Sequence, residues 1–425
     1  MTVAEQDVPI LLGAPTRMLT FNGQYPGPVI RSRAGEQVVA HVKNTTAFPV
    51  AIHFHGMVIE PEHDGGPWNV ISPGQEHTYK WIAKAEYPMS GWYHAHPHGL
   101  THVQVPRGMA GTLEVLSPND PIPAEYGNSW LVLTDQKYDS GNQIPADTEF
   151  DRFNGREGDH VFVNGQEQPV FKMKPNEIHR FRVLSGGPAR TYRLAAPGME
   201  MWQIGTDGGL IEHPVQQTEF LMGVAERVEV LMKAPATPGT YKLKTLRYDR
   251  GLGLRERVDR DLMTIEVTND LPAVQPPIPQ NLRTIQPLDL TGARERLFEL
   301  DTESVGGGMK HFVINDKSFD PLRIDNVAKL GDTEIWTVDN KKGSWDHPMH
   351  LHSVQFQILD IDGKAPAFRA WKDVMYVPRS TRARFAVRYA QDEFPGIFMF
   401  HCHILQHEDD GMMTHIMVNP PQAGQ

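Results

Sequence analysis

HCHILQHEDDGMM, His401 to Met413, is the stretch on which the reading of this chain turns. Successive side chains on an extended strand point to opposite faces, so His401 and His403 share one face while Cys402 takes the other. Cys402 is the single cysteine of the chain. It forms no internal disulfide and says nothing about redox compartment, so its place between two histidines needs a chemical reason. Its sulfur addresses a different site from the imidazoles on either side of it.

Three further clusters stand upstream: His53-Phe54-His55, His94-Ala95-His96, and His347-Pro348-Met349-His350-Leu351-His352. By the same alternation, each pair two residues apart (His53/His55, His94/His96, His350/His352, His401/His403) aims both rings at one site. Eight imidazoles exceed what one ion uses, and neutral imidazole suits copper, zinc, iron or nickel, so a cluster of several ions is implied. His347 is an odd number of residues from His350. In an extended stretch it turns away from that cluster and can join Cys402. His407 and Met412 follow the cysteine and complete two histidines, a thiolate and a thioether suited to a weak axial position, the ligand set of a blue copper site.

The scaffold reads as strands. Short apolar and β-branched runs, such as Gln37 to Val42, Thr78 to Ile82, Trp130 to Thr134, Val228 to Met232 and Glu334 to Val338, recur between turn signals. This is the rhythm of a β-sandwich. The 37 glycines and 34 prolines exceed average usage and supply turns. Helices are expected only as connectors, near Pro123 to Tyr126 and just after Cys402. A weak repeat aligns segments opening at Asn22-Gly23, Asn164-Gly165 and Asn315-Asp316, spaced by about 140–150 residues, which is domain size. Three copies of one sandwich are implied. Linkers fall at Ser117 to Gly127 and at Leu271 to Leu290, which holds five prolines. The expected domains are 1–118, 128–270 and 291–425. The histidine clusters lie in the first and last, whereas Tyr192 and Leu194 occupy the aligned place in the middle copy and cannot substitute as ligands.

A net charge of −11 opposes nucleic acid and anionic membrane as partners, and no apolar run is long enough for a membrane helix. Met1 to Leu12 carries two acids and no base and lacks a signal h-region. That predicts either a cytosolic protein or a chain whose export signal has been removed.

The fragments HFHG (53–56), WYHAHPHG (92–99), HPMHLH (347–352) and HCHILQHEDDGMM (401–413) resemble the four motifs of the three-domain multicopper oxidases, and the resemblance runs over essentially the whole chain. Within that family the short chain and the His-Glu-Asp-Asp-Gly-Met-Met tail, 407–413, look most similar to bacterial laccase-like enzymes and cuprous oxidases. The resemblance implies an all-β chain of three consecutive cupredoxin-like Greek-key β-sandwich domains and four copper ions, one type 1, one type 2 and two type 3. It implies His347, Cys402, His407 and Met412 as type 1 ligands and His53 and His350 as type 2 ligands. For the type 3 pair it implies His55, His94 and His403 on one ion, with His96, His352 and His401 on the other.

The activity so implied is one-electron oxidation of a small aromatic reductant, a phenol or aromatic amine, or of cuprous ion, coupled to four-electron reduction of dioxygen to water. Electrons pass from Cys402 to His401 and His403. Asp64 in the HDGG segment and Glu408 beside His407 are implied as proton carriers. The family places such a protein in the periplasm or outside the cell, and one chain carries both metal-binding domains, so a monomer is expected. Copper-defence members often carry a methionine-rich insertion before the third motif. Glu303 to Asp332 holds only Met309, which favours the laccase-like activity over a cuprous oxidase. A non-enzymatic scaffold is disfavoured because every ligand is present. Asp373 and Met375, two apart in the strand-like segment Trp371 to Val377, are expected to share a face and could receive substrate or cuprous ion.

Overall fold

The computed structural model describes residues 1–251, 258–306 and 309–420. Among these, nearly all regular structure is strand, arranged as three successive sandwiches of paired sheets. The first takes its strands from Thr2–Val8 through Ala110–Leu116, the second from Asn128–Gln136 through Arg260–Val267, and the third from Arg294–Gly306 through Met413–Asn419. Each encloses its own core: Phe54, Trp92 and Tyr93 in the first, Phe181, Tyr192 and Leu262 in the second, Trp336, Phe385 and Phe400 in the third.

The repeat, weak in sequence, is explicit in the backbone. Every one of the six sheets contains one parallel pair, for example Thr2–Val8 with Gln37–Asn44, Asn128–Gln136 with Ile178–Ser185, and Arg294–Gly306 with Thr333–Asp339. Asn22, Asn164 and Asn315 all adopt the left-handed conformation, with φ of 52°, 53° and 54°. Their side-chain oxygens accept from the backbone N–H of Thr2, Val132 and Glu299 respectively. Asparagine tolerates that conformation and bonds locally, so one turn is used three times to tie two strands.

Both expected connectors are present, as a 3-10 turn at Ala124–Tyr126 and a helix at Leu405–Asp409. Two further short helices, Thr101–Gln104 and Glu149–Asn154, were not read from the sequence. The second carries a Thr148/Asp151 capping box, so its Thr-x-x-Asp spacing was the available signal. The proline-rich linker runs along the outside of the second sandwich, where Leu282 packs with Ile204, Leu210 and Leu231. No helix among the described residues is long and apolar enough to cross a membrane.

Candidate metal centre

Strand pairing brings the histidines together. Ile52–His55 lies antiparallel to Met89–Ala95 with His53 opposite His94, and His347–Leu351 lies antiparallel to Gly396–Cys402 with His350 opposite His401. The two sandwiches meet along these strands. All eight imidazoles are buried, and across the interface His53 Nε2 lies 3.3 Å from His350 Nε2 while His96 Nε2 lies 3.4 Å from His401 Nε2.

Outer hydrogen bonds fix which nitrogen faces inward. Nδ1 of His53 donates to the Asp64 carbonyl, that of His350 to the Asp373 carbonyl, that of His401 to the Cys402 carbonyl, and that of His94 to the Ala95 carbonyl, all at 2.8–2.9 Å. His352 Nδ1 donates to Asp64 Oδ2 at 2.7 Å. His55 is reversed, for its Nε2 donates to Asp373 Oδ1 at 3.0 Å and its Nδ1 has no hydrogen-bond partner. Such outer partners set tautomer and ring orientation at metal sites.

The arrangement fits a bound cation. With Nδ1–H spent outward, Nε2 of His352 and Nε2 of His401 face each other as acceptors at 3.0 Å, as do those of His53 and His350. Facing lone pairs repel, and an ion between them removes the repulsion. His94 Nε2 and both nitrogens of His403 are buried without partners, a cost that a metal bond would also remove. Three sets of histidines, His53/His55/His94, His53/His350/His352 and His96/His352/His401, each bring their ligand nitrogens within 4.8 Å of one another. Burial, reinforced by neighbouring imidazoles, holds His55, His96, His350 and His403 well below the ordinary histidine range. They are therefore neutral and able to ligate at pH 7.

The second group sits inside the third sandwich. His347 Nδ1 lies 3.4 Å from Cys402 Sγ, His407 Nδ1 lies 3.8 Å from the same sulfur, and the two Nδ1 atoms are 3.4 Å apart. Met412 is buried in the same core as Cys402 and Met349, and its carbonyl accepts from the Cys402 N–H. Burial pushes the Cys402 thiol up, so the thiolate needs a cation beside it. The strand alternation therefore holds: sulfur and imidazoles leave the backbone of residues 401–403 in opposite directions.

His407 is closed off. Its Nε2 donates to the Phe153 carbonyl at 3.2 Å, and its ring stacks on Phe312 at 3.8 Å. Phe153 lies in the last turn of the unforeseen helix Glu149–Asn154 of the second sandwich. His347 instead lines a cavity of about 300 Å³ walled by Phe153, Phe312, Trp345 and Met412, with Asp301 and Lys342 also on its lining.

The two acids differ in state. Burial would raise Asp64, but His352 and then His53 hold it well below the carboxylate range. Glu408 lies 3.4 Å from His96 Nε2 and 3.3 Å from His401 Nδ1, and burial followed by the charge of Asp409 pushes it well up. Asp64 is thus ionised at pH 7, whereas Glu408 holds its proton more tightly than a free carboxyl does.

Asp373 and Met375 require correction. They do not form an accessible pair. Asp373 is buried against His55 and Arg227, while Met375 packs in the core opposite Met349. The strand begins at Val374, so the alternation assumed for the pair does not extend to Asp373. The sequence reading also passed over Arg227 and the Phe153 carbonyl, and neither has a local signature: a buried arginine and a backbone oxygen are recognisable only once their partners are in place.

Sequence models of the multicopper oxidase family match residues 2–120, 130–254 and 289–422. The multicopper oxidase mco of Staphylococcus aureus is 31% identical over 94% of this chain and 83% of that protein. A laccase of Bacillus subtilis is 26% identical, over 96% and 91% respectively. Among solved structures, a Campylobacter jejuni multicopper oxidase described as a metallo-oxidase is 32% identical and superimposes with a TM-score of 0.90, covering 98% of this chain and 90% of that one.

Proposed function

Because the chain belongs to the multicopper oxidase family, as a copper-dependent oxidoreductase with dioxygen as acceptor, we propose that it is laccase-like. It oxidises phenols or aromatic amines one electron at a time beside a type 1 site and reduces dioxygen to water at a trinuclear cluster between its first and third domains. The observation that carries this reading is the aromatic-walled cavity ending on His347, with the closure of His407 beside it. A flat ring enters between Phe153, Phe312 and Trp345 and reaches the only ligand edge that the cavity touches apart from Met412.

Four copper ions, when bound, would supply one-electron chemistry towards the reductant and four-electron chemistry towards dioxygen. His347, Cys402, His407 and Met412 would hold the type 1 ion. His53 and His350 would hold the type 2 ion, an assignment supported by their 3.3 Å approach. His96, His352 and His401 would hold one type 3 ion, an assignment supported by their convergence, and His55, His94 and His403 would hold the other. Cys402 is joined by backbone to His401 and His403, so a covalent route links the sulfur to both type 3 sets. Glu408, within 3.4 Å of His96 Nε2 and 3.3 Å of His401 Nδ1, and Asp64, hydrogen-bonded to His352 at 2.7 Å, are the carboxyl groups placed to carry protons to the cluster. The middle domain, 128–270, holds 1–118 and 291–425 in register. Dioxygen and a small reductant suffice as partners, a monomer completes the site, and the family resemblance places the protein in the periplasm or outside the cell.

A cuprous or metal oxidase reading keeps two supports: the Asp301 carboxylate on the cavity lining and the Campylobacter relative described as a metallo-oxidase. Copper content, the visible spectrum and oxygen uptake with a phenol, an aromatic amine and cuprous ion side by side test the proposal. Faster oxygen uptake with cuprous ion than with either organic reductant overturns it in favour of the metal oxidase.

A further inference from the structure

Arg227 opens the strand Arg227–Lys233 of the middle sandwich, which supplies none of the histidines gathered above. Its fully buried side chain reaches both neighbouring sandwiches. Nε donates to the Ser90 carbonyl of the first at 2.9 Å. Nη1 donates to Asp373 Oδ1 of the third at 2.7 Å and to the Ala225 carbonyl at 3.0 Å. Nη2 donates to Asp373 Oδ2 at 2.5 Å and to the Asp207 carbonyl at 3.1 Å. A guanidinium carries five N–H donors, and all five are used.

Asp373, gripped by this fork, faces the cluster. Its Oδ1 accepts from His55 Nε2 and its carbonyl from His350 Nδ1, so one residue touches a histidine of the first sandwich and one of the third. His55 is also the imidazole whose ring is turned opposite to its neighbours. Gly56, the glycine of HFHG, adds a second observation. Its φ is +90°, and a Cβ there would lie 2.6 Å from Arg227 Nη2 and 3.1 Å from Asp373 Oδ2. The glycine leaves the guanidinium room to lie against the backbone next to His55.

We propose that Arg227 is a positioning residue for the trinuclear cluster: through Asp373 it selects the nitrogen that His55 presents to copper and ties His350 to the same anchor. The sandwich without ligands thereby sets the spacing between ligands of the other two. This rests on the copper assignment above. Lysine cannot replace arginine here, because three donors on a flexible stem do not reproduce a five-donor planar fork.

The test uses full-length wild type, Arg227→Lys and Asp373→Asn. In copper-loaded protein, chelator titration is followed by the type 1 visible band and the type 2 electron spin resonance signal in the same samples. In copper-free protein labelled at histidine, the ¹⁵N shifts of His55 report its tautomer. Both variants are expected to keep the type 1 band, to lose cluster copper at about 10- to 100-fold lower chelator concentration, and to show a mixture of His55 tautomers where wild type shows the Nε2–H form alone. Wild-type cluster retention and an unmixed tautomer in both variants would overturn the proposal, as would parallel loss of type 1 and cluster copper, which marks general destabilisation. Wild type failing to bind cluster copper sinks the copper assignment instead, and the tautomer measurement still judges Arg227.

Discussion

Replacing Cys402 with serine separates the two halves of the site. The sulfur is buried in the core with Met349, Met412 and Ile404, within 3.4 Å of His347 Nδ1 and 3.8 Å of His407 Nδ1. It also accepts from the Ile404 N–H at 3.4 Å, a bond that a serine oxygen can retain. Burying a partly satisfied hydroxyl there costs about 1–3 kcal/mol, against a usual domain stability of about 5–15 kcal/mol. The variant should therefore fold, with a copper-free melting temperature lower by on the order of 5 °C. No cluster imidazole bonds the sulfur: His401 Nδ1 bonds the Cys402 carbonyl, which the substitution keeps. The expected result is complete loss of the intense visible band, loss of one copper of the four, retention of cluster copper, and substrate oxidation reduced to background. Absorption and spin resonance spectra with a metal count measure all of these. A variant that stays blue, or one that loses the cluster ions together with the type 1 ion, refutes the opposite-face geometry.

Asp64→Asn and Glu408→Gln keep shape but remove proton carriers, and each should slow dioxygen reduction more than substrate oxidation; stopped-flow spectra should show the blue band bleached during turnover, and unchanged turnover in both rules the relay out. In the folded copper-free chain burial lowers His347 to about 3 and His352 to about 4, against 6.5 for a free histidine. The unfolded chain therefore takes up protons below pH 6.5 that the folded chain refuses, so stability is full above that pH and is lost as pH falls towards 3–4. Calorimetry of copper-free protein should show a melting temperature declining from pH 7 to pH 5, and a flat profile contradicts it. Met375→Leu conserves volume in a packed core and should cost less than about 1.5 kcal/mol, with the ratio of cuprous to phenol oxidation unchanged; a selective fall in cuprous oxidation would restore Met375 as a substrate ligand. Tyr192→Phe, in the middle core, should leave copper content at the wild-type value by metal analysis.

Much of this molecule is local in origin, and that part was legible in the chain. Alternation on a strand depends only on backbone geometry, so His401, Cys402 and His403 declared two sites on opposite faces without any knowledge of the fold, and the repeated Asn turn with short β-branched runs announced three sandwiches. What the sequence could not supply were relations between distant segments. Which nitrogen His352 and His55 turn inward depends on the Asp64 and Asp373 carboxylates brought alongside by packing. His347 rather than His407 meets the cavity because a helix from another sandwich, Glu149–Asn154, lays its Phe153 carbonyl on His407. Asp373 and Met375 misled for the same reason: spacing places side chains along one strand, while burial and partners are assigned by what packs against it. Arg227 is the furthest case, since the five acceptors that make it a fork around the cluster lie in three sandwiches and only the folded chain assembles them.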